Sequence, residues 1–136
     1  MGTGEPGPLA RTVQAAGNPR LLQAWAGGVL FLVLLYVVVD IRLPAREVVS
    51  GIPLDVALHF LCFAGLAAMS PLAFGRAGSA LAAILFLLAL GMFLEITQYY
   101  LPHRFFSLYD AGANVLGLAV GAIPGFVLRG LSRRNT

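Results

Sequence analysis

The sequence contains no lysine, a single cysteine and very little charge of either sign. Charged residues make up 11% of its 136 positions, against about 25% in an ordinary soluble domain. A water-soluble fold of this size would lack the polar side chains needed to cover its own surface. One cysteine excludes an intrachain disulfide. The basic residues are nine scattered arginines with a net charge of +3, too sparse for a nucleic-acid surface, so no nucleic-acid partner is expected. Two signatures of known hydrolases are also missing. There is no H-E-x-x-H pair for a zinc protease and no G-x-S-x-G turn for a serine nucleophile.

What the chain has instead is apolar length. It is 59% hydrophobic, with a mean hydropathy of +0.86. A membrane-crossing helix takes about 20 mostly apolar residues, and four segments meet or approach that length, at 21–39, 56–74, 78–99 and 111–128. Backbone groups in lipid must be hydrogen-bonded within the segment, so all four read as helices. The expected fold is all-α, an integral membrane four-helix bundle. The first segment exceeds a signal-peptide core and no A-x-A site follows it, so it reads as a retained anchor. Residues 1–20, rich in glycine and proline, read as a disordered cytoplasmic tail, and 130–136 as a basic one. With both termini cytoplasmic, Arg11, Arg20, Arg76, Arg129, Arg133 and Arg134 fall inside, and Arg42, Arg46 and Arg104 fall outside. That asymmetry follows the positive-inside rule.

This topology brings the scattered polar residues to one level. Asp55 and His59 lie near the outer end of the second segment, Glu95 and Gln98 at the outer end of the third, and Asp110 and Asn114 at the start of the fourth. Asp55 and His59 are four apart and Glu95 and Gln98 three apart, so each pair shares a helix face. Asp110, Asn114, Gly117 and Gly121 form one stripe, in which Gly117 and Gly121 make a G-x-x-x-G packing seam that repeats at Gly125. Arg104 lies in the short loop between the third and fourth segments, after a turn at Pro102. Ionisable groups in a membrane face the bundle interior or a partner. The expectation is an inward cluster of Asp55, His59, Glu95, Gln98, Arg104, Asp110 and Asn114 near the extracytoplasmic surface. Tyr99, Tyr100, Phe105, Phe106 and Tyr109 would form an interfacial aromatic belt.

The ordered set "DVALHF" (55–60) and "EITQYYLPHRFFSLYDAGANVLGLAVG" (95–121) resembles the VanZ-like family of small bacterial multi-pass membrane proteins. Its pattern runs Asp-x-x-x-His-Phe, Glu-x-x-Gln, Pro-x-Arg, then Asp-x-x-x-Asn-x-x-Gly-x-x-x-Gly. Here the positions are Asp55, His59, Phe60, Glu95, Gln98, Pro102, Arg104, Asp110, Asn114, Gly117 and Gly121. One departure is Val56, where the family often has lysine. The resemblance implies a cell-envelope role, the family taking its name from a protein associated with teicoplanin resistance.

Two functional readings follow. In the first, Arg104 and His59 hold a phosphate or carboxylate of an anionic envelope lipid, cell-wall precursor or glycopeptide-type ligand, with Gln98 and Asn114 as neutral partners. In the second, the protein is a membrane-embedded enzyme acting on a lipid-linked substrate by Glu95 and His59 acid–base chemistry. No nucleophile stands out, and no catalytic residue is assigned. Transport within one chain is disfavoured, because the inner halves of the segments are apolar. No cofactor and no metal are expected, since the histidine and carboxylate spacing matches no recognised metal motif. Partners would be membrane lipids, and a homo-oligomer is open to the chain.

Overall fold

In the computed structural model the described residues form an all-α bundle of four helices. The structure describes residues 17–38, 47–49, 52–98, 100 and 107–134. Helix α1 covers Pro19–Val38, α2 Leu54–Ala73, α3 Ala77–Gln98 and α4 Leu108–Arg134. Three of them, α2, α3 and α4, are long and apolar enough to cross a membrane, and α1 carries a shorter apolar stretch, Pro19–Leu34. A small antiparallel ribbon, β1 (Glu47–Val49) and β2 (Ile52–Pro53), leads directly into α2. Glu47 pairs with Pro53 and Val49 with Ile52.

The helix boundaries follow local chemistry. Asn18 caps α1, its Oδ1 accepting from the Arg20 and Leu21 N–H groups at 3.1 and 3.4 Å. Pro19 then occupies the first helical position, where a missing N–H costs nothing. Just before this cap, Gly17 has φ +82°, and a Cβ there would run into the Ala73 carbonyl. Helix α1 therefore begins two residues before the apolar run expected at 21. Helix α4 begins at Leu108 and continues to Arg134, past both ends of the 111–128 segment.

Helix α2 is the hub and touches each of the other three helices. Its tightest partner is α4. A Cβ on Gly117 would lie 2.5 Å from the Phe60 carbonyl oxygen, and Cβ atoms on Gly121 and Gly125 would run into the Ala64 and Ala68 carbonyls. Both series rise by four in the same direction, so α2 and α4 are parallel, and α3 returns the chain between them. This is the small-residue seam read from the glycine spacing, met by Ala64 and Ala68 on the other side. The core beside it holds Trp25, Leu32, Phe63, Leu66, Leu87 and Leu118. Outside, large apolar side chains face away from the bundle, with Phe93 62% and Ile123 67% exposed. Soluble monomers rarely expose contiguous apolar surface on this scale, whereas a bilayer solvates it.

At the end of the bundle where α2 stops, buried polar groups tie three helices together. The Trp25 indole N–H donates to Ser70 Oγ at 2.9 Å, with the Leu66 carbonyl at 3.2 Å. Arg129, only 8% exposed, donates to the carbonyls of Pro71, Phe74 and Gly75 at 3.1, 2.9 and 2.6 Å. These carbonyls lie at or just past a helix C-terminus, where acceptors lack helical partners and the dipole favours a cation. Arg129 therefore works as a cap supplied by another helix.

Candidate functional site

The opposite end of the bundle collects a second, denser set of polar side chains, one or more from each helix. Tyr36 comes from the last turn of α1, His59 from the second turn of α2, Glu95 and Gln98 from the end of α3, and Asp110 and Asn114 from the first two turns of α4. Glu95 is fully enclosed, Asn114 is 1% exposed and Asp110 7% exposed. Gln98 is buried and His59 half-buried.

The bonds among them order the site. His59 Nδ1 lies 3.1 Å from Asn114 Oδ1. An amide oxygen only accepts, so this bond places the imidazole proton on Nδ1 and leaves Nε2 as the basic nitrogen. The Tyr36 hydroxyl lies against the nitrogen edge of the ring, 2.5 Å from Nδ1 and 2.7 Å from Nε2. Its ring meets the imidazole edge-on at 5.0 Å between centroids. The floor beneath is Phe63 and Gly91. A Cβ on Gly91 would come within 2.8 Å of the Phe63 ring and 3.3 Å of Asn114 Nδ2, so glycine there gives both side chains their room.

The start of α4 explains why Asp110 remains available. Ser107 caps the helix, its Oγ accepting from the Asp110 N–H at 3.2 Å. In a reciprocal capping box the acidic side chain three residues on would return a bond to the cap's own N–H. Here the Ser107 N–H donates instead to Glu95 Oε1, at 2.7 Å. A carboxylate from α3 has taken the role of Asp110. Consequently Asp110 Oδ1 is buried without a hydrogen-bond partner among the described residues, and so is Asn114 Nδ2. Buried polar atoms are satisfied in more than nine cases in ten, and an orphan acceptor and an orphan donor in one cluster call for an explanation.

His59, Glu95 and Asp110 each offer one ligand atom, and these atoms lie within 4.8 Å of one another. Sequence spacing alone gave no reason to expect a metal here. The three side chains come from three helices and share no short motif.

Of the residues expected in the cluster, the structure brings together His59, Glu95, Asp110 and Asn114, and Gln98 is buried at the end of α3, one turn beyond Glu95. Asp55 is exposed, and its carboxylate bonds the Val56 N–H at 2.9 Å. In the first turn of α2 it suits the helix dipole. Arg104 lies outside the described residues, as does the Pro102 turn. Two members were not singled out from the sequence. Tyr36 sits in an unbroken apolar run with no polar neighbour to mark it. Ser107 did carry a signal, the Ser-x-x-Asp spacing of a capping box just before an apolar segment.

A family model for VanZ/LLP1 matches residues 18–129. The chain belongs to this family. The matched region spans all four helices almost end to end, including both polar ends of the bundle. It takes in each of His59, Glu95, Gln98, Arg104, Asp110, Asn114, Gly117 and Gly121. No curated protein and no solved structure matches the chain. It is thus a VanZ-family, multi-pass membrane protein.

Proposed function

We propose that this protein sits in the bacterial cell membrane with both termini cytoplasmic and uses the Tyr36–His59–Asn114 end of the bundle as an extracytoplasmic binding site. The ligand is an anionic envelope lipid, a cell-wall precursor or a glycopeptide-type molecule, and binding contributes to glycopeptide (teicoplanin) resistance. The observation that carries this reading is the pair of buried atoms without hydrogen-bond partners among the described residues, Asn114 Nδ2 as donor and Asp110 Oδ1 as acceptor. A ligand headgroup with both phosphate or carboxylate oxygens and hydroxyl groups complements that pair. Arg104 would add the bidentate cation that such a headgroup favours. The arginine asymmetry supports the orientation.

The test compares Arg104→Ala and Asn114→Ala with wild type, measuring binding of labelled lipid-linked precursor to purified protein and teicoplanin susceptibility of expressing cells. Both variants should weaken binding and lower resistance. Wild-type behaviour in both assays would refute the reading. A reporter fused after Gly75 should read cytoplasmic and one after Ser107 extracytoplasmic, and the reverse pattern would overturn the orientation.

The closeness of His59 and Glu95 also supports a second reading, an enzyme in which Glu95 moves a proton to or from a lipid-linked substrate with His59 as its partner. Turnover of labelled envelope lipid by purified protein, abolished in Glu95→Gln, would favour the enzyme over the binder.

A further inference from the structure

We infer that His59, a Glu95 carboxylate oxygen and an Asp110 carboxylate oxygen form a binding site for a divalent first-row metal ion, with Zn2+ the best fit. It rests on the binding reading of the same cluster and gives Asp110 a metal in place of a ligand hydroxyl, leaving Asn114 Nδ2 and the metal's open position for the headgroup.

One ring nitrogen of His59 and one carboxylate oxygen each from Glu95 and Asp110 lie within 4.8 Å of one another. The corners of a triangle with such sides are at most about 2.8 Å from its centre, against the ~2.0–2.2 Å of zinc bonds to histidine and carboxylate. Less than an ångström of inward movement per side chain closes the difference. Each donor comes from a different helix, so an ion at the centre would join α2, α3 and α4 at one point.

Chemistry selects the metal. One neutral imidazole and two carboxylates suit Zn2+ and, more weakly, Mn2+, while Ca2+ takes six to eight oxygen ligands. Three protein ligands also leave a fourth position of the zinc tetrahedron open. The imidazole is oriented for this role. Asn114 Oδ1 holds the Nδ1 proton at 3.1 Å, the arrangement by which metal-binding histidines are fixed in one tautomer.

The independent sign of a ligand is Asp110. Its Oδ1 is buried and lacks a hydrogen-bond partner among the described residues, because Glu95 has replaced it at the Ser107 N–H. An acceptor so enclosed needs a proton donor or a cation. A cation changes the site's preference as well, since a bound divalent ion would turn a cluster with two acids into one that attracts an anionic headgroup. The Tyr36 side chain, whose hydroxyl now lies on the nitrogen edge of the imidazole, would have to swing aside when the metal binds.

The experiment titrates Zn2+ into chelator-stripped protein in detergent micelles and follows heat and the thermal midpoint. Wild type should bind one equivalent saturably, and its midpoint should rise with Zn2+. Glu95→Gln and Asp110→Asn, which keep side-chain shape, and His59→Ala should each weaken binding by more than about 100-fold. Asn114→Ala, which removes only the orienting bond, should weaken it by about 10–100-fold. Co2+ substitution should give the visible absorption of a low-coordinate site. Absence of saturable binding and of any midpoint rise in wild type would overturn the proposal, and so would wild-type affinity in the Glu95→Gln/Asp110→Asn double variant. No lipid or glycopeptide enters the assay, so its failure would leave the ligand-binding reading standing.

Discussion

Replacing Gly117 with alanine tests the packing of α2 on α4 and the geometry of the site at once. The new Cβ would lie 2.5 Å from the Phe60 carbonyl oxygen and 3.1 Å from the Ala64 nitrogen. Real Cβ contacts essentially never fall below 3.0 Å, and ordinary contact begins at 3.4 Å, so the helices must separate locally by between about 0.5 and 0.9 Å. Phe60 is the residue after His59, and Asn114 lies one turn before Gly117. The His59–Asn114 bond, 3.1 Å long, would open past the 3.5 Å limit of a useful hydrogen bond. Overpacking of this kind costs about 1–3 kcal/mol. Alanine also gains about 0.5–1 kcal/mol of helix propensity over glycine, so the right control is Gly112→Ala, where nothing lies within 4 Å of the new Cβ. Chemical or thermal unfolding in detergent should place Gly117→Ala about 1–3 kcal/mol below Gly112→Ala. Nitrogen NMR of the imidazole should show the Nδ1 hydrogen bond lost in the first variant and kept in the second. Equal stabilities, with the imidazole unchanged, would refute the close parallel seam.

Other perturbations address the remaining contacts. Arg129→Lys loses the planar fork that reaches three carbonyls and should cost about 2–4 kcal/mol, since hydrogen bonds to charged groups contribute about 1.5–3 kcal/mol each; a loss below half a kcal/mol in equilibrium unfolding would remove Arg129 as a cap. Trp25→Phe keeps the ring but deletes the indole donor to Ser70, and should destabilise the bundle by about 1–2 kcal/mol. In a Ser70→Ala background the same change should cost measurably less, and full additivity would argue that the bond does not exist. Gly17→Ala puts a side chain on a φ of +82° against the Ala73 carbonyl and should lower the melting midpoint, whereas Gly78→Ala, in open space, should not.

The sequence carried the broad arrangement because apolar length and polar position are both linear features. Four apolar runs read as four helices. Alternating their direction was enough to bring His59, Glu95, Gln98, Asp110 and Asn114 to one level, and the glycine stripe identified the face of α4 that meets α2. What escaped notice depends on contacts between helices. Tyr36 looks like one more apolar residue until His59 is opposite it. Arg129 looks like a topological charge until the end of α2 is seen beneath it. Asp55 shares a face with His59 by spacing, yet it sits in the first turn, where its own backbone offers a partner. The triad of His59, Glu95 and Asp110 is the extreme case, since residues 51 positions apart in the chain come within 4.8 Å only after three helices have packed.

The parallel seam between α2 and α4 has a consequence for the order in which the protein can be made. As the chain leaves the ribosome, α2 enters the bilayer without the glycine-lined neighbour that fits against Ala64 and Ala68. That neighbour arrives only after α3 has crossed back. Until then His59 lacks Asn114 and Glu95 lacks the Ser107 N–H, so a three-helix intermediate would hold an acid and an imidazole in the membrane with α4's share of the bonds still missing. Arg129, near the far end of the last helix, then closes the other end of α2. Nascent chains arrested before α4 should therefore be the species that membrane quality-control proteases and insertion chaperones recognise, and completion of α4 is the step that takes the protein out of their reach.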